Sequence, residues 1–225
     1  MIEPSEFTKP TYYVDSDAPI VVAMTQGFLC SAKGPDSRSV AIALFDGVRD
    51  AIRYDPYSIS LDPQDYRASR IAQSKAAFCV SKAILLTAVA RAAGIPASVG
   101  FADVRNHLNS PKLRDLMESD LFIYHGYVAL WLDGQWLKVT PAFNMELCDR
   151  FGVKPLVFDG RNDALFHEFD ANERRHMEYV NDRGVFLDPP VDQLLEAFST
   201  TYPKMADAIR ASGSITTVDA EFHST

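Results

Sequence analysis

The sequence has no stretch able to cross a membrane. Its apolar runs are short: Ile20 to Met24 is far from the ~20 residues a span needs. Residues 1–18 carry Glu3, Glu6, Asp15 and Asp17 and lack the apolar segment of a secretory leader. The expectation is a cytoplasmic protein with reduced thiols. Cysteine is scarce. Three residues cannot form a disulfide framework, and an odd count leaves a free thiol. Positive charge is also short, with 22 Lys+Arg against 30 Asp+Glu and a net charge of −8. That balance argues against a nucleic-acid groove, which needs a basic footprint. There is no Gly-rich phosphate loop, no calcium-loop pattern, no internal repeat and no low-complexity segment. What is present, 47% hydrophobic and 23% charged residues, is the composition of a globular chain.

Residues 1–225 read as one domain, since no linker-like stretch divides them. A first helix starts at Asp17 or Ala18 with Pro19 in its first turn, and Ile20, Met24 and Phe28 share a face. Ser37 is the N-cap of a second, with Val40, Leu44, Val48 and Ile52 at four-residue spacing. Tyr54 to Pro63 reads as a structured loop. Ala77–Ala93 is the strongest helix signal, stopped by Gly94 and Pro96. Pro96–Val104 reads as a strand, and Ser110-Pro111 opens a short helix. Leu121–Leu132 and Gln135–Val139 are β-rich runs joined by Asp133-Gly134, a two-residue hairpin signal. Asn144 precedes a short helix closed by Gly152. Pro155–Phe158, His176–Val180 and Val185–Leu187 read as strands, a helix runs from Asp188-Pro189 to about Tyr202, and residues 213–225 read as frayed. Helices in the first half and antiparallel strands in the middle make an α+β pattern, not alternating βαβ units.

Cys79 falls at the start of the strongest helix, where the positive end of the macrodipole favours a thiolate. The competing reading is a buried cysteine filling an Ala-rich helix. His125 lies within the long strand. Period-2 alternation places it with Tyr127, Ala129 and Trp131 on the more open face, opposite the apolar face of Val128, Leu130 and Leu132. With a two-residue turn, Leu132 pairs with Gln135, Trp131 with Trp136 and Ala129 with Lys138. Continuing that register pairs Tyr127 with Thr140, whose hydroxyl then lies diagonal to His125 and within reach of its ring. Cys30 and Cys148 read as packing residues. His167, Asp170, His176 and Glu178 are ligand types whose spacing fits no metal signature, so neither a metal nor a cofactor is expected.

The ordered set resembles the transglutaminase-like superfamily. It comprises Cys79, the run Leu85 to Ala97 with its Arg91-Ala92-Ala93-Gly94-Ile95-Pro96-Ala97 ending, His125-Gly126-Tyr127-Val128, and Trp136-Leu137-Lys138-Val139-Thr140-Pro141. Val48 to Tyr54 is similar to the family's helix ahead of the core. The resemblance implies a papain-like α+β core at about residues 37–142, with a Cys-bearing helix packed on an antiparallel sheet that carries the His. An N-terminal helix and a C-terminal strand and helix would pack on it. It implies Cys79 and His125 as a catalytic pair, with Thr140 at the position where the family carries Asp. Thr can orient His125 but cannot stabilise its imidazolium. Asn144 is a weaker third-member candidate, against a helix N-cap reading. Gln73, six residues before Cys79, is a candidate oxyanion donor by likeness to papain-like proteases. Phe78 stands where the family commonly has Gly.

The function this implies is thiol-dependent acyl transfer or hydrolysis of a peptide or protein amide. Two other readings stay open. One is a transglutaminase-like binding or scaffold domain with weak or no turnover, motivated by Thr140 and Phe78. The other is an acyltransferase like the arylamine N-acetyl enzymes, for which no basic cluster near the site suits a phosphate-rich acyl carrier.

Overall fold

The computed structural model of the chain describes residues 3–106, 110–165, 177–213 and 215. In order, the elements are α1 (Pro19–Leu29), α2 (Ser37–Ala51), β1 (Arg53–Tyr54), α3 (Ala68–Ile71), β2 (Ala76–Ala77), α4 (Cys79–Ala92) and β3 (Ala97–Asn106). Then follow α5 (Pro111–Met117), β4 (Leu121–Leu132), β5 (Gln135–Val139), α6 (Met145–Phe151), β6 (Met177–Phe186), α7 (Val191–Thr201) and α8 (Pro203–Ser212). The larger sheet has the order β5-β4-β3-β6 with antiparallel neighbours, and β1 and β2 form a short parallel pair. The architecture is α+β, as the distribution of elements predicted. No helix among the described residues is long and apolar enough to cross a membrane.

Helix α4 is the centre of the molecule. Thirteen of its fourteen residues are buried. It packs on β3 and β4 on one side and on α1, α2 and α3 on the other. A helix covered all round needs apolar or small residues on every face, and the Ala, Val, Ile and Leu of this segment supply them. Its two buried cations must then find partners inside the protein, because an unpaired buried charge is costly. Lys82 Nζ donates to the carbonyls of Arg49 (2.7 Å) and Ile52 (2.5 Å), the open end of α2. Arg91 donates to the carbonyls of Ala97, Lys9 and Leu187 at 2.7–2.9 Å. These bonds fix α4 at one end to α2 and at the other to the N-terminal segment, β3 and the residue after β6.

The predicted hairpin register is observed: Leu132 pairs with Gln135, Trp131 with Trp136 and Ala129 with Lys138. It ends one pair earlier than expected. Val139 pairs with Val128, and Thr140 then leaves the sheet, its N–H donating to the Ala164 carbonyl at 2.8 Å. Pro155–Phe158 is not a strand. The Leu156 carbonyl is taken by Arg49 Nη1 at 2.9 Å, and the edge beside β5 is met instead by an isolated bridge from Val139 to Ala164. The two expected strands at His176–Val180 and Val185–Leu187 are one continuous strand, β6. After α7 a second helix, α8, starts with Pro203 at its first position and was not legible in the pattern. Cys148 is buried, but Cys30 is exposed at the end of α1 and is not a packing residue. His167, Asp170, His176 and most of 213–225 lie outside the described residues. Among the described residues no group of three or more His, Cys, Asp and Glu could hold a metal ion.

Gly126 marks where β4 crosses the first turn of α4. A Cβ there would lie 2.8 Å from Val80 Cα and 2.9 Å from the Cys79 carbonyl oxygen, both backbone atoms with no freedom to yield. Gly126→Ala should therefore destabilise the fold by about 1–3 kcal/mol through overpacking. Gly27→Ala in α1, where nothing lies within 4 Å of the new Cβ, should be neutral or stabilising. Urea unfolding of both variants checks the contrast, and equal effects would contradict the close approach.

Candidate active site

Cys79 is the first residue of α4, and no side chain caps that helix end. Its neighbour Phe78 occupies the capping position in extended backbone, and it packs edge-on to Tyr66 with ring centroids 6.0 Å apart. The Cys79 thiol faces a cavity of about 50 Å³ whose walls are mostly apolar. His125 lines the same cavity, so the structure brings these two sequence-predicted residues to one site. His125 Nε2 is buried without a hydrogen-bond partner.

A β-bulge lies immediately ahead of His125. Ala102 pairs with His125 but Val104 pairs with Phe122, so β4 carries one extra residue opposite Asp103. Tyr124 absorbs it with φ 54°, an uncommon conformation for a bulky residue. Long-range contacts hold it there. The Tyr124 N–H donates to Asp103 Oδ1 at 3.1 Å, and Arg183 Nε donates to the same oxygen at 2.6 Å. The Arg183 guanidinium also lies over the Tyr124 ring, 4.2 Å from its centroid. Strict alternation is therefore broken just ahead of His125. The residue is 5% exposed, not on an open face.

Beyond the end of β5 the edge of β4 is met by a side chain. The Tyr202 hydroxyl accepts from the Ile123 N–H at 2.8 Å and donates to the Leu121 carbonyl at 2.7 Å. Tyr202 also lines the cavity. Asp103, Arg183 and Tyr202 are the positioning residues that sequence reasoning missed. Each acts across 21 to 81 positions of chain, and no local pattern marks any of them.

The remaining expectations meet a different arrangement. Thr140 is buried and its Oγ1 has no hydrogen-bond partner, so it does not bond the His125 Nε2, which is likewise unpartnered. The reason is the early end of β5, which takes Thr140 out of the predicted register. Asn144 stands at the first capping position of α6, but its side chain does not cap. Its Oδ1 accepts from the Tyr54 N–H at 3.1 Å, tying α6 to β1, while Asp50 accepts from the Met145 N–H at 3.0 Å. Gln73 lines a second, polar cavity of about 370 Å³ together with Ser58, Ser60, Arg70 and Ser81. Its amide donates to the Ser69 carbonyl at 2.9 Å. Phe78 is the residue common to the walls of both cavities.

Residues 25–141, just over half of the chain, match the model of the transglutaminase-like superfamily. The chain belongs to this superfamily. No curated protein matches the sequence at a significant level. Among solved structures, a "putative cysteine protease" from Cytophaga hutchinsonii is similar at 20% identity with a TM-score of 0.44. The similarity covers 60% of this chain and 40% of the Cytophaga chain.

The electrostatics of this superfamily member's cavity run against the helix-dipole expectation. Burial pushes the Cys79 thiol up to about 11, with the backbone N–H groups of Gly126, Val80 and Cys79 pulling the other way. A rise from 9.0 to about 11 corresponds to roughly 3 kcal/mol, against about 0.3–1 kcal/mol from a helix terminus, so desolvation wins. Burial also lowers His125 from 6.5 to about 4. At neutral pH both groups are uncharged. The His125 shift has a consequence for stability. Between about pH 6.5 and 4 the unfolded chain binds a proton at this position that the folded chain does not. Its contribution is therefore full above pH 6.5 and is lost as pH falls through about 4, up to about 3 kcal/mol. Urea unfolding at pH 4.5 and 7 should show a smaller pH dependence in His125→Gln than in the wild type. Identical dependences would mean that His125 is not held neutral.

Proposed function

We propose that this protein is a thiol-dependent enzyme that acts on an amide or peptide carbonyl, with Cys79 as nucleophile and His125 as general base and acid. The observation that carries this reading is the shared cavity, into which a helix-start thiol and a buried, unpartnered imidazole both face. Because both groups rest neutral, the proton moves as the sulfur attacks and not beforehand. The Cys79 S–H proton passes to the His125 imidazole while the S–C bond forms. The developing oxyanion lies near the uncapped N–H groups at the start of α4, which are suited to hold it. His125 then gives the proton to the leaving amine as the C–N bond breaks, and a thioester remains. Water attacks that thioester, His125 takes its proton, and the acid is released with the thiol restored. Hydrolysis is favoured over transfer to an amine. The substrate is a peptide or protein amide, and three free thiols suit a reducing, cytoplasmic setting.

A second reading is supported by the depth of the thiol. Cys79 is 8% exposed and lies beside Phe78, as a binding domain that has lost turnover would have it. One experiment separates the two. A library of peptides and simple amides is screened with wild type, Cys79→Ala and His125→Ala, each checked for folding by circular dichroism. The enzyme reading expects turnover by wild type, none above background by Cys79→Ala, and a loss of about 10²–10⁴-fold in His125→Ala. Turnover that survives in Cys79→Ala excludes this chemistry. Binding without turnover, equal in wild type and Cys79→Ala, establishes the second reading.

A further inference from the structure

The superfamily match ends at residue 141, yet part of the wall of the cavity that Cys79 and His125 line comes from residues after it. Leu194 and Phe198 of α7, Tyr202, and Met205 of α8 line it, joined by Leu113 and Met117 of α5. Most of these side chains do not belong to the core around α4. Leu113, Met117, Phe198, Tyr202 and Met205 form a separate apolar cluster with Tyr57, Ala206 and Ile209. The wall can therefore differ in shape without repacking the helix that holds the thiol.

We infer that this wall is the acyl-side specificity pocket and that it takes a small branched aliphatic group. The inference rests on the thiol chemistry proposed above. In that chemistry the acyl part stays bonded to sulfur through both half-reactions, whereas the amine departs and water replaces it. An apolar wall beside the sulfur suits the part that stays. The polar cavity on the far side of Phe78, with Ser58, Ser60, Arg70 and Ser81, suits the departing segment. The volume sets the size. About 50 Å³ exceeds the ~10–15 Å³ that a water requires and is well below the ~150 Å³ cavity that accepts benzene. A valine-sized group fits, and an aromatic ring does not. Among the described residues no Asp, Glu, Lys or Arg lines the cavity, so a charged acyl-side residue would be buried without a partner from them.

Two measurements test this. The first compares kcat/KM for peptide amides carrying Gly, Val, Phe or Asp immediately before the scissile carbonyl. Val should exceed each of the others by about 10–100-fold. Met205→Ala should move the preference towards Phe, and Leu113→Phe should move it towards Gly. The second needs neither turnover nor a variant: isobutanol, a branched aliphatic probe with no carbonyl for the thiol to attack, is titrated into wild type carrying ¹³C-methyl methionine. Shifts of the Met117 and Met205 methyl signals, with little effect of benzyl alcohol, are expected. Turnover with a flat acyl-side preference, or one that neither variant moves, overturns the pocket and leaves the chemistry standing. Absence of turnover with every substrate overturns the chemistry, and the methyl titration then decides the pocket alone. Shifts support it, and unmoved Met117 and Met205 signals overturn it.

Discussion

The approach of β4 to the first turn of α4 at Gly126 is the contact on which the site depends. At that point strand backbone meets helix backbone with no side chain between them. His125, one residue earlier, is thereby carried to the cavity at the helix start, and Cys79, the first residue of the helix, faces it. Such proximity is useful only if the helix cannot slide or tilt. The carbonyl partners of Lys82 and Arg91 prevent that by tying α4 to α2 near the site and to three separate segments at its far end. A buried cation is weak evidence for added stability, since its desolvation offsets much of what its hydrogen bonds return. Its value here is geometric, because one position of α4 satisfies both.

The burial that builds the site also sets its resting chemistry. A helix start is commonly read as a device for making a thiolate, and in isolation it is. Here the cavity removes more solvation from the sulfur than the dipole and the nearby N–H groups return, and the imidazole is held neutral for the same reason. A preformed ion pair would require a partner for the imidazolium. Thr140 is not that partner: it carries no charge, and its hydroxyl is not bonded to Nε2. A site of this kind protects its thiol from casual alkylation and oxidation, which proceed through the thiolate. In the chemistry proposed above, proton transfer is reserved for the moment when a bound carbonyl draws the sulfur in.

What was legible in the sequence was local. Asp133-Gly134 dictated the hairpin and its register, because a two-residue turn leaves no other pairing. Gly94 and Pro96 ended α4 where they should, and the ordered Cys79 and His125 motifs placed both residues at one cavity. What was not legible depends on contacts distant in the chain. The bulge at Tyr124 needs Asp103 and Arg183, and the early exit of Thr140 needs Ala164. The early exit of Thr140 is enough to defeat the predicted contact with His125, because that diagonal exists only in register; the bulge offsets residues 121–123 and leaves the alternation from His125 onward intact. Burial was misread for the same reason. His125 looked open because the face opposite it was apolar, yet the cavity that it lines is walled in part by α7 and α8 from the end of the chain.

Those two helices are joined to the larger sheet through an economical device. Where β5 has ended, the edge of β4 would expose an unpaired N–H and carbonyl at Ile123 and Leu121. The Tyr202 hydroxyl, both donor and acceptor, meets the two together. A strand in that place would have closed the edge with backbone and left no room beside His125. A single tyrosine closes it while its ring forms part of the cavity wall. The same residue thus satisfies the sheet, holds the junction of α7 and α8 against it, and bounds the space over the thiol. Shape at the site and integrity of the strand that carries His125 are coupled through one side chain. Removing only the hydroxyl would separate them, because the ring would still fill the wall while Leu121 and Ile123 lost their partner.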